Sequence, residues 1–111
     1  MTLSEKQFIF TKNVALLINK IYEQGYTASL AEAYRTPEQA ELNAKRGTGI
    51  KDSLHCKRLA IDINLFKDGK YLTDTASHKP FGEYWATLHP LNRWGGTFKP
   101  LVDGNHYQMS D

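Results

Sequence analysis

The stretch Ser53-Leu54-His55-Cys56-Lys57-Arg58-Leu59-Ala60-Ile61-Asp62-Ile63-Asn64-Leu65-Phe66 carries the clearest strand signal in the chain and, beside it, a pair of side chains suited to hold a cation. From Leu59 to Phe66 the residues alternate with the period of two that marks a half-buried strand. Asp62 lies inside that pattern, where a carboxylate among Leu59, Ala60, Ile61 and Ile63 is expensive to bury unless a positive charge compensates it. His55 stands at the strand's entrance, in a loop opened by Arg46-Gly47-Thr48-Gly49 and running through Ser53. On a straight strand the odd separation of His55 from Asp62 would turn the two to opposite faces, but a loop residue can fold back over the strand end. The spacing permits a joint role without requiring one.

Downstream, Lys67-Asp68-Gly69-Lys70 is a hairpin signal, with Tyr71 and Leu72 starting the return strand. Phe81 to Leu88 reads as a helix with Tyr84, Trp85 and Leu88 on one face, ending before Pro90. The tail from Trp94 is rich in turn residues and closes on a short strand at His106-Tyr107-Gln108-Met109. Upstream, Tyr26 to Tyr34 reads as a short strand, and Thr36 caps a second helix with Pro37 at its first position. At the N-terminus Phe8, Val14, Leu17, Ile18 and Ile21 recur at helical spacing until Gly25, with Ser4 as the expected cap and Gln7 at the reciprocal position. The expected architecture is α+β, a small antiparallel sheet with helices packed on one side.

The 111 residues form a single expected domain, 1–111, large enough for one core. A formal charge of +2 without a Lys/Arg run gives no nucleic-acid footprint. The lone Cys56 cannot form an internal disulfide, so stability must come from packing, with a metal as the remaining staple. Residues 1–6 lack the basic and apolar regions of a signal peptide, and no apolar run is long enough to span a bilayer. The expectation is a monomer made in the bacterial cytoplasm, without stable membrane association or nucleic-acid partner.

A catalytic zinc site takes three protein ligands and keeps a position open for water, so a close pair calls for a distant third. His106 is the candidate third, and Asp103 lies just before it in an Asp-Gly-Asn turn that could aim both groups into one cleft. A carboxylate beside such a cation, but not on it, can take a proton from water and return it to a departing amine. Each residue also has a plainer use. A loop histidine is often only solvated, Asp103 is at home in a turn, Arg35 can form a surface ion pair, and Ser53 can cap its loop. His78 and His89 have no ligand partner at suitable spacing and read as surface residues. Cys56 adjoins His55, but consecutive side chains diverge, which favours a structural or exposed thiol. Trp94 and Tyr107 either wall the cleft or fill the core.

Taken together, Ser53-x-His55 followed by Ala60-x-Asp62 resembles the signature of the D-alanyl-D-alanine carboxypeptidase and dipeptidase family, which includes phage L-alanyl-D-glutamate endolysins. Asp103-Gly104-Asn105-His106-Tyr107 is similar to the family's second motif, an acidic residue shortly before the last histidine and an aromatic after it. Trp94-Gly95-Gly96 is similar to its aromatic-Gly-Gly stretch, and the resemblance runs from about Tyr34 to Gln108. It implies the hedgehog/D-Ala-D-Ala peptidase-like fold, one Zn2+ held by His55, Asp62 and His106, and Asp103 as general base in place of the Glu of many relatives. It further implies that Arg35 binds a substrate carboxylate or steadies the oxyanion, and that Ser53, Trp94 and Tyr107 contact substrate. The implied reaction is hydrolysis of a peptidoglycan stem peptide, at L-Ala-D-Glu as in phage or prophage enzymes that reach the wall after release. A D,D- or L,D-carboxypeptidase and an inactive wall-binding zinc domain are the alternatives. In one departure, many relatives carry Gly where this chain has Arg58.

Overall fold

A computed structural model of the chain describes every residue except Thr48, Ile50 and Lys51, so the loop expected between Arg46 and Ser53 lies partly outside the described residues. The first helix, α1, spans Leu3–Glu23 and lays Phe10, Leu17 and Ile21 into the core. Its cap is Thr2 rather than Ser4: the Thr2 hydroxyl accepts from the Glu5 amide at 3.1 Å, and the Glu5 carboxylate accepts from the Thr2 amide at 3.0 Å. Both registers fit the capping-box pattern. Glu5 adds a negative charge at the positive end of the helix, and Gln7 is drawn elsewhere, donating to the Lys57 carbonyl at 2.8 Å.

After Gly25, whose φ of +86 turns the chain out of the helix, β1 spans Thr27–Leu30. The next helix, α2, runs Pro37–Lys45 with Thr36 as cap, its hydroxyl accepting from the Gln39 amide. A 3-10 turn at Leu54–Lys57 then leads into β2, Ala60–Lys67, and β3, Lys70–Leu72. Asp68 and Gly69, with φ of 51 and 77, make the tight turn between these strands. The third helix, α3, spans Thr75–Thr87, followed by β4, Asn92–Trp94, and β5, His106–Met109. The strands form one antiparallel sheet in the order β1-β2-β5-β4, with β3 paired to β2 beside β5. No described helix is long and apolar enough to cross a membrane.

Ile61, Ile63 and Leu65 of β2 and Tyr107 and Met109 of β5 point to the core face, where α1 and α3 cover them. The opposite face carries Asp62, His106 and Gln108, in keeping with the alternation of side chains along a strand. The structure corrects the start of α3, expected at Phe81. Asp74 caps it, accepting from the Ser77 amide at 3.0 Å, and Pro80 sits within it. The lost backbone bond at Pro80 is outweighed by the cap and by burial of Phe81 and Trp85. It also corrects His78: nearly two turns of added helix carry that ring inward, where it is 2% exposed and its Nδ1 lies 2.8 Å from the Tyr107 hydroxyl. His89, also expected at the surface, is half-buried and accepts from the Leu91 amide at 3.1 Å.

Trp94 of β4 lies between two glycines. A Cβ on Gly82 of α3 would sit 2.1 Å from its ring, and one on Gly96 would sit 2.2 Å from it. The indole fixes the distance of α3 from the sheet. Gly82→Ala should therefore destabilise the fold by roughly 1–3 kcal/mol despite the better helix propensity of Ala, read as a lower urea midpoint at unchanged m-value.

Candidate metal centre

Asp62 and His106 face each other as cross-strand partners of β2 and β5. The His106 Nδ1 lies 3.0 Å from an Asp62 oxygen. His55 reaches them from the 3-10 turn, with its Nε2 3.4 Å from the same Asp62 oxygen. One ligand atom from each of the three lies within 4.8 Å of the others, and this is the group of His, Cys, Asp and Glu able to hold an ion among the described residues. The two imidazoles meet edge to face with centroids 5.1 Å apart. The odd spacing in sequence resolves as a turn: Ser53 caps the 3-10 segment by accepting from the His55 amide at 3.2 Å, and the segment tips the ring back over β2.

Both rings are steered from their outer nitrogens. His55 Nδ1 is 3.2 Å from the Ala33 carbonyl and donates to it, which leaves Nε2 as the nitrogen facing the site. His106 Nε2 is 2.8 Å from the Gln108 side-chain oxygen and donates to it, which leaves Nδ1 facing the site; without an ion that nitrogen carries a proton to Asp62, and an ion would displace it. Neither Gln108 nor Ala33 was expected from the sequence. Gln108 is two residues from His106 on the same strand face, a relation the period of two would reveal once β5 was taken as paired.

The electrostatics follow from this packing. Burial would raise the Asp62 carboxyl, but hydrogen bonds from His106 and His55 and their charge prevail and hold it at about 2. Burial would lower His106, yet its bonds to Asp62 and Gln108 and the nearby carboxylates raise it. Asp103 is raised, chiefly by burial. Its carboxylate lies 3.9 Å from His106 Nδ1, beside the triad. Gly95 puts it there: the Asp103 amide donates to the Gly95 carbonyl at 2.9 Å, and a Cβ on Gly95 would fall 2.0 Å from the Asp103 carbonyl oxygen.

Two imidazoles of fixed tautomer, one ionised carboxylate and a neighbouring acid suit a divalent zinc ion, which favours N and O donors in a small cluster. The cleft around them encloses about 750 Å³ and is walled by Arg35, Ser53, Phe98, Leu101, Val102 and Gln108. Arg35 is held by Glu32, whose carboxylate takes both Nε, at 3.1 Å, and Nη2 of the guanidinium. Glu32 also lies 3.6 Å from His55 Nε2, and sequence reading missed it because it precedes the strand and motif that drew attention. Trp94 and Tyr107 were expected to contact substrate. At 7% and 0% exposure they belong to the core, because β4 and β5 turn those side chains to the helix face, and neither lines the cleft. Cys56 lies against the Thr36 carbonyl, its Sγ 3.9 Å away.

Arg58 adopts the left-handed conformation, φ 56 and ψ 38, at the end of the 3-10 turn. Glycine takes that conformation without strain, whereas a side chain here costs some. Here the guanidinium stacks on Tyr34, 4.1 Å from the ring centre, and does not line the cleft.

The sequence profile of the D-alanyl-D-alanine carboxypeptidase family matches residues 46–109. No curated protein matches the chain. Among solved structures it is similar to the Serratia marcescens L-Ala D-Glu endopeptidase ChiX, with a TM-score of 0.70 at 19% identity over 85% of this chain and 75% of that one. It is also similar to the vancomycin resistance D,D-pentapeptidase VanY of a VanB-type cassette, a mutant in complex with Zn(II), with a TM-score of 0.61 at 18% identity over 92% of this chain and 71% of that one. At such identities the likeness carries the fold.

The pairing of Asp62 has a thermodynamic signature. Its folded-state pKa, about 2, lies below the unfolded value of 3.8, so its contribution is present above the unfolded value and is lost as pH falls through the range between them. In the metal-free protein, acidification from pH 4 to 2 should remove on the order of 2 kcal/mol that Asp62→Asn no longer has to lose, measured as converging urea midpoints.

Proposed function

This chain belongs to the D-alanyl-D-alanine carboxypeptidase family, zinc peptidases acting on peptidoglycan, and from that premise we propose that it is an endopeptidase cutting the stem peptide at the L-Ala-D-Glu bond. In this reading the whole chain, 1–111, is one catalytic domain, His55, Asp62 and His106 hold the zinc ion, and Asp103 is the general base. When bound, zinc polarises the scissile carbonyl and lowers the pKa of water.

The chain's own residues do the rest. Asp103, raised by burial, accepts the proton of the attacking water and returns it to the amine as the C–N bond breaks. Arg35 directs its remaining N–H groups at the developing oxyanion. Gln108 and the Ala33 carbonyl keep the two imidazoles in the tautomers that leave their inner nitrogens free. Phe98, Leu101 and Val102 give an extended peptide an apolar wall, and Ser53 holds the turn that carries His55.

The observation that carries the endopeptidase reading is the Glu32–Arg35 fork. Arg35 is the one Arg or Lys among the described residues lining the cleft, and its pairing with Glu32 offsets the positive charge that would draw a terminal carboxylate. An internal amide carries no charge and loses less by that pairing, which favours it over a carboxypeptidase substrate. The likeness to the Serratia L-Ala D-Glu endopeptidase supports the same choice. A lytic enzyme of phage or prophage type, monomeric and reaching the wall after release, extends the proposal.

Purified peptidoglycan incubated with the zinc-loaded protein should release fragments with new D-Glu amino termini in mass spectra. Release of terminal D-Ala alone would make it a carboxypeptidase. Chelator should abolish the release and added zinc restore it. Asp103→Ala should bind zinc normally and lose about 10²-fold or more in kcat. Unchanged lysis by that variant would sink the mechanism, and an inactive wall-binding domain would show neither release nor a response to chelator.

A further inference from the structure

β3 and β5 pair with the same edge of β2, at Leu65–Lys67 and Ala60–Asp62, and leave a gap between them at Ile63 and Asn64. The gap is a separate pocket of about 290 Å³, lined by Tyr71, Thr73, Thr75, His78, Asp103 and Asn105 among others. Asp103 and Val102 line both this pocket and the metal cleft, so the two hollows are neighbours across the proposed base.

His78 gives the pocket its chemistry. The ring is 2% exposed and pinned at Nδ1 by the Tyr107 hydroxyl at 2.8 Å. Burial disfavours the charged imidazole, and a phenol carries its proton at ordinary pH. The phenol has no other acceptor among the described residues, so its proton goes to Nδ1 and the imidazole proton resides on Nε2. Nε2 makes no hydrogen bond to the described protein, yet it is not among the sealed, unpartnered atoms of the core. It is a donor at the pocket wall. Thr75 lines the same pocket, its side chain against Gly104. No Lys or Arg lines the pocket among the described residues, so no fixed positive charge there favours an anion.

We propose that the gap between β3 and β5 is a substrate subsite that takes a neutral hydrogen-bond acceptor, an amide or acetamido carbonyl lying on one side of the scissile bond, received by His78 Nε2–H and the Thr75 hydroxyl. The proposal rests on the peptidase reading for its role, since Asp103 would then stand between scissile bond and subsite. It disfavours a free carboxylate in this pocket and sets the polar side of the substrate's footprint next to the Val102 end of the main cleft's apolar wall. His78 acts as a binding residue, with Tyr107 fixing its tautomer.

The test uses the zinc-loaded protein labelled with 15N-histidine and two probes, N-acetyl-L-alanine methylamide and acetate. The amide should shift the His78 Nε2 resonance saturably and acetate should not. Thr75→Val, which leaves the His78–Tyr107 bond in place, should weaken the amide about fivefold, the value of one hydrogen bond. A flat titration, an equal response to acetate, or unchanged affinity in Thr75→Val overturns the subsite. The titration needs no turnover, so a protein that binds the amide but releases nothing from cell walls refutes the proposed function and still supports the pocket. With active protein, Thr75→Val and His78→Gln should raise KM for wall fragments several-fold at similar kcat, and an unchanged KM in Thr75→Val overturns the substrate role.

Discussion

The register between β2 and β5 is the constraint on which the rest of the structure depends. Asp62 meets His106 because Ile61 meets Tyr107 and Ala60 meets Gln108. Side chains alternate, so a slip of one residue would send Asp62 or His106 to the core face and bring an apolar residue into the site. The slip is forbidden by burial: Ile61, Ile63, Leu65, Tyr107 and Met109 are all at or below 5% exposure on the other face. At about 25 cal/mol per Å² of apolar surface, the hydrophobic face outweighs any preference of the polar groups for one another. The core therefore sets the geometry of the candidate metal site.

The aromatic-Gly-Gly stretch works through the same logic. Trp94 donates from its indole nitrogen to the Gly104 carbonyl at 2.7 Å while its ring lies against the positions of Gly82 and Gly96. The turn holding Asp103 is thus tied at two points, by Trp94 at Gly104 and by Gly95 at the Asp103 amide. A conformational choice on a flexible Asp-Gly-Asn turn is converted into a packing choice in the core. The aromatic residue places the acid and stays out of the cleft.

Features that depend on neighbours in sequence were legible from sequence. Thr36-Pro37, the Asp68-Gly69 hairpin and the alternation of β2 are local, and each forms where expected. Features decided by tertiary contact were less so. Thr2 and Ser4 both satisfy a capping pattern, and the choice turned on where Gln7 found a partner across the chain. β4 is three residues long and owes its existence to pairing with β5, so its sequence has too little periodicity to announce it. His78 is polar, next to Lys79-Pro80, and became core only because Asp74 starts α3 nearly two turns early. Within the site, the triad could be picked out because Asp62 is anomalous in an apolar strand, whereas Glu32 lies outside any strand or motif and Gln108 gains its role only when β5 pairs with β2.

Backbone bonds assemble this site without help from an ion. The Arg35 amide donates to the His55 carbonyl at 3.2 Å, the Asp62 amide to Glu32 at 2.8 Å and the Ile63 amide to Asn105 at 2.9 Å. The segment 31–35, the 3-10 turn, β2 and the turn before β5 are cross-linked around the triad by these bonds. A zinc finger, lacking such a frame, spends its metal-binding energy on folding. Here the frame is already in place, so most of the affinity for a cation goes into binding rather than ordering, and the cost shows instead as the unfavourable closeness of Glu32, Asp62 and Asp103 in its absence. Arg35 relieves part of that repulsion by taking Glu32, and the two imidazoles relieve Asp62, at the expense of protonating a ring that must later give up its proton to the ion. The same charges that make the site a good receptor for a cation make it a slightly uncomfortable one without it, and the apolar face of the sheet absorbs the difference.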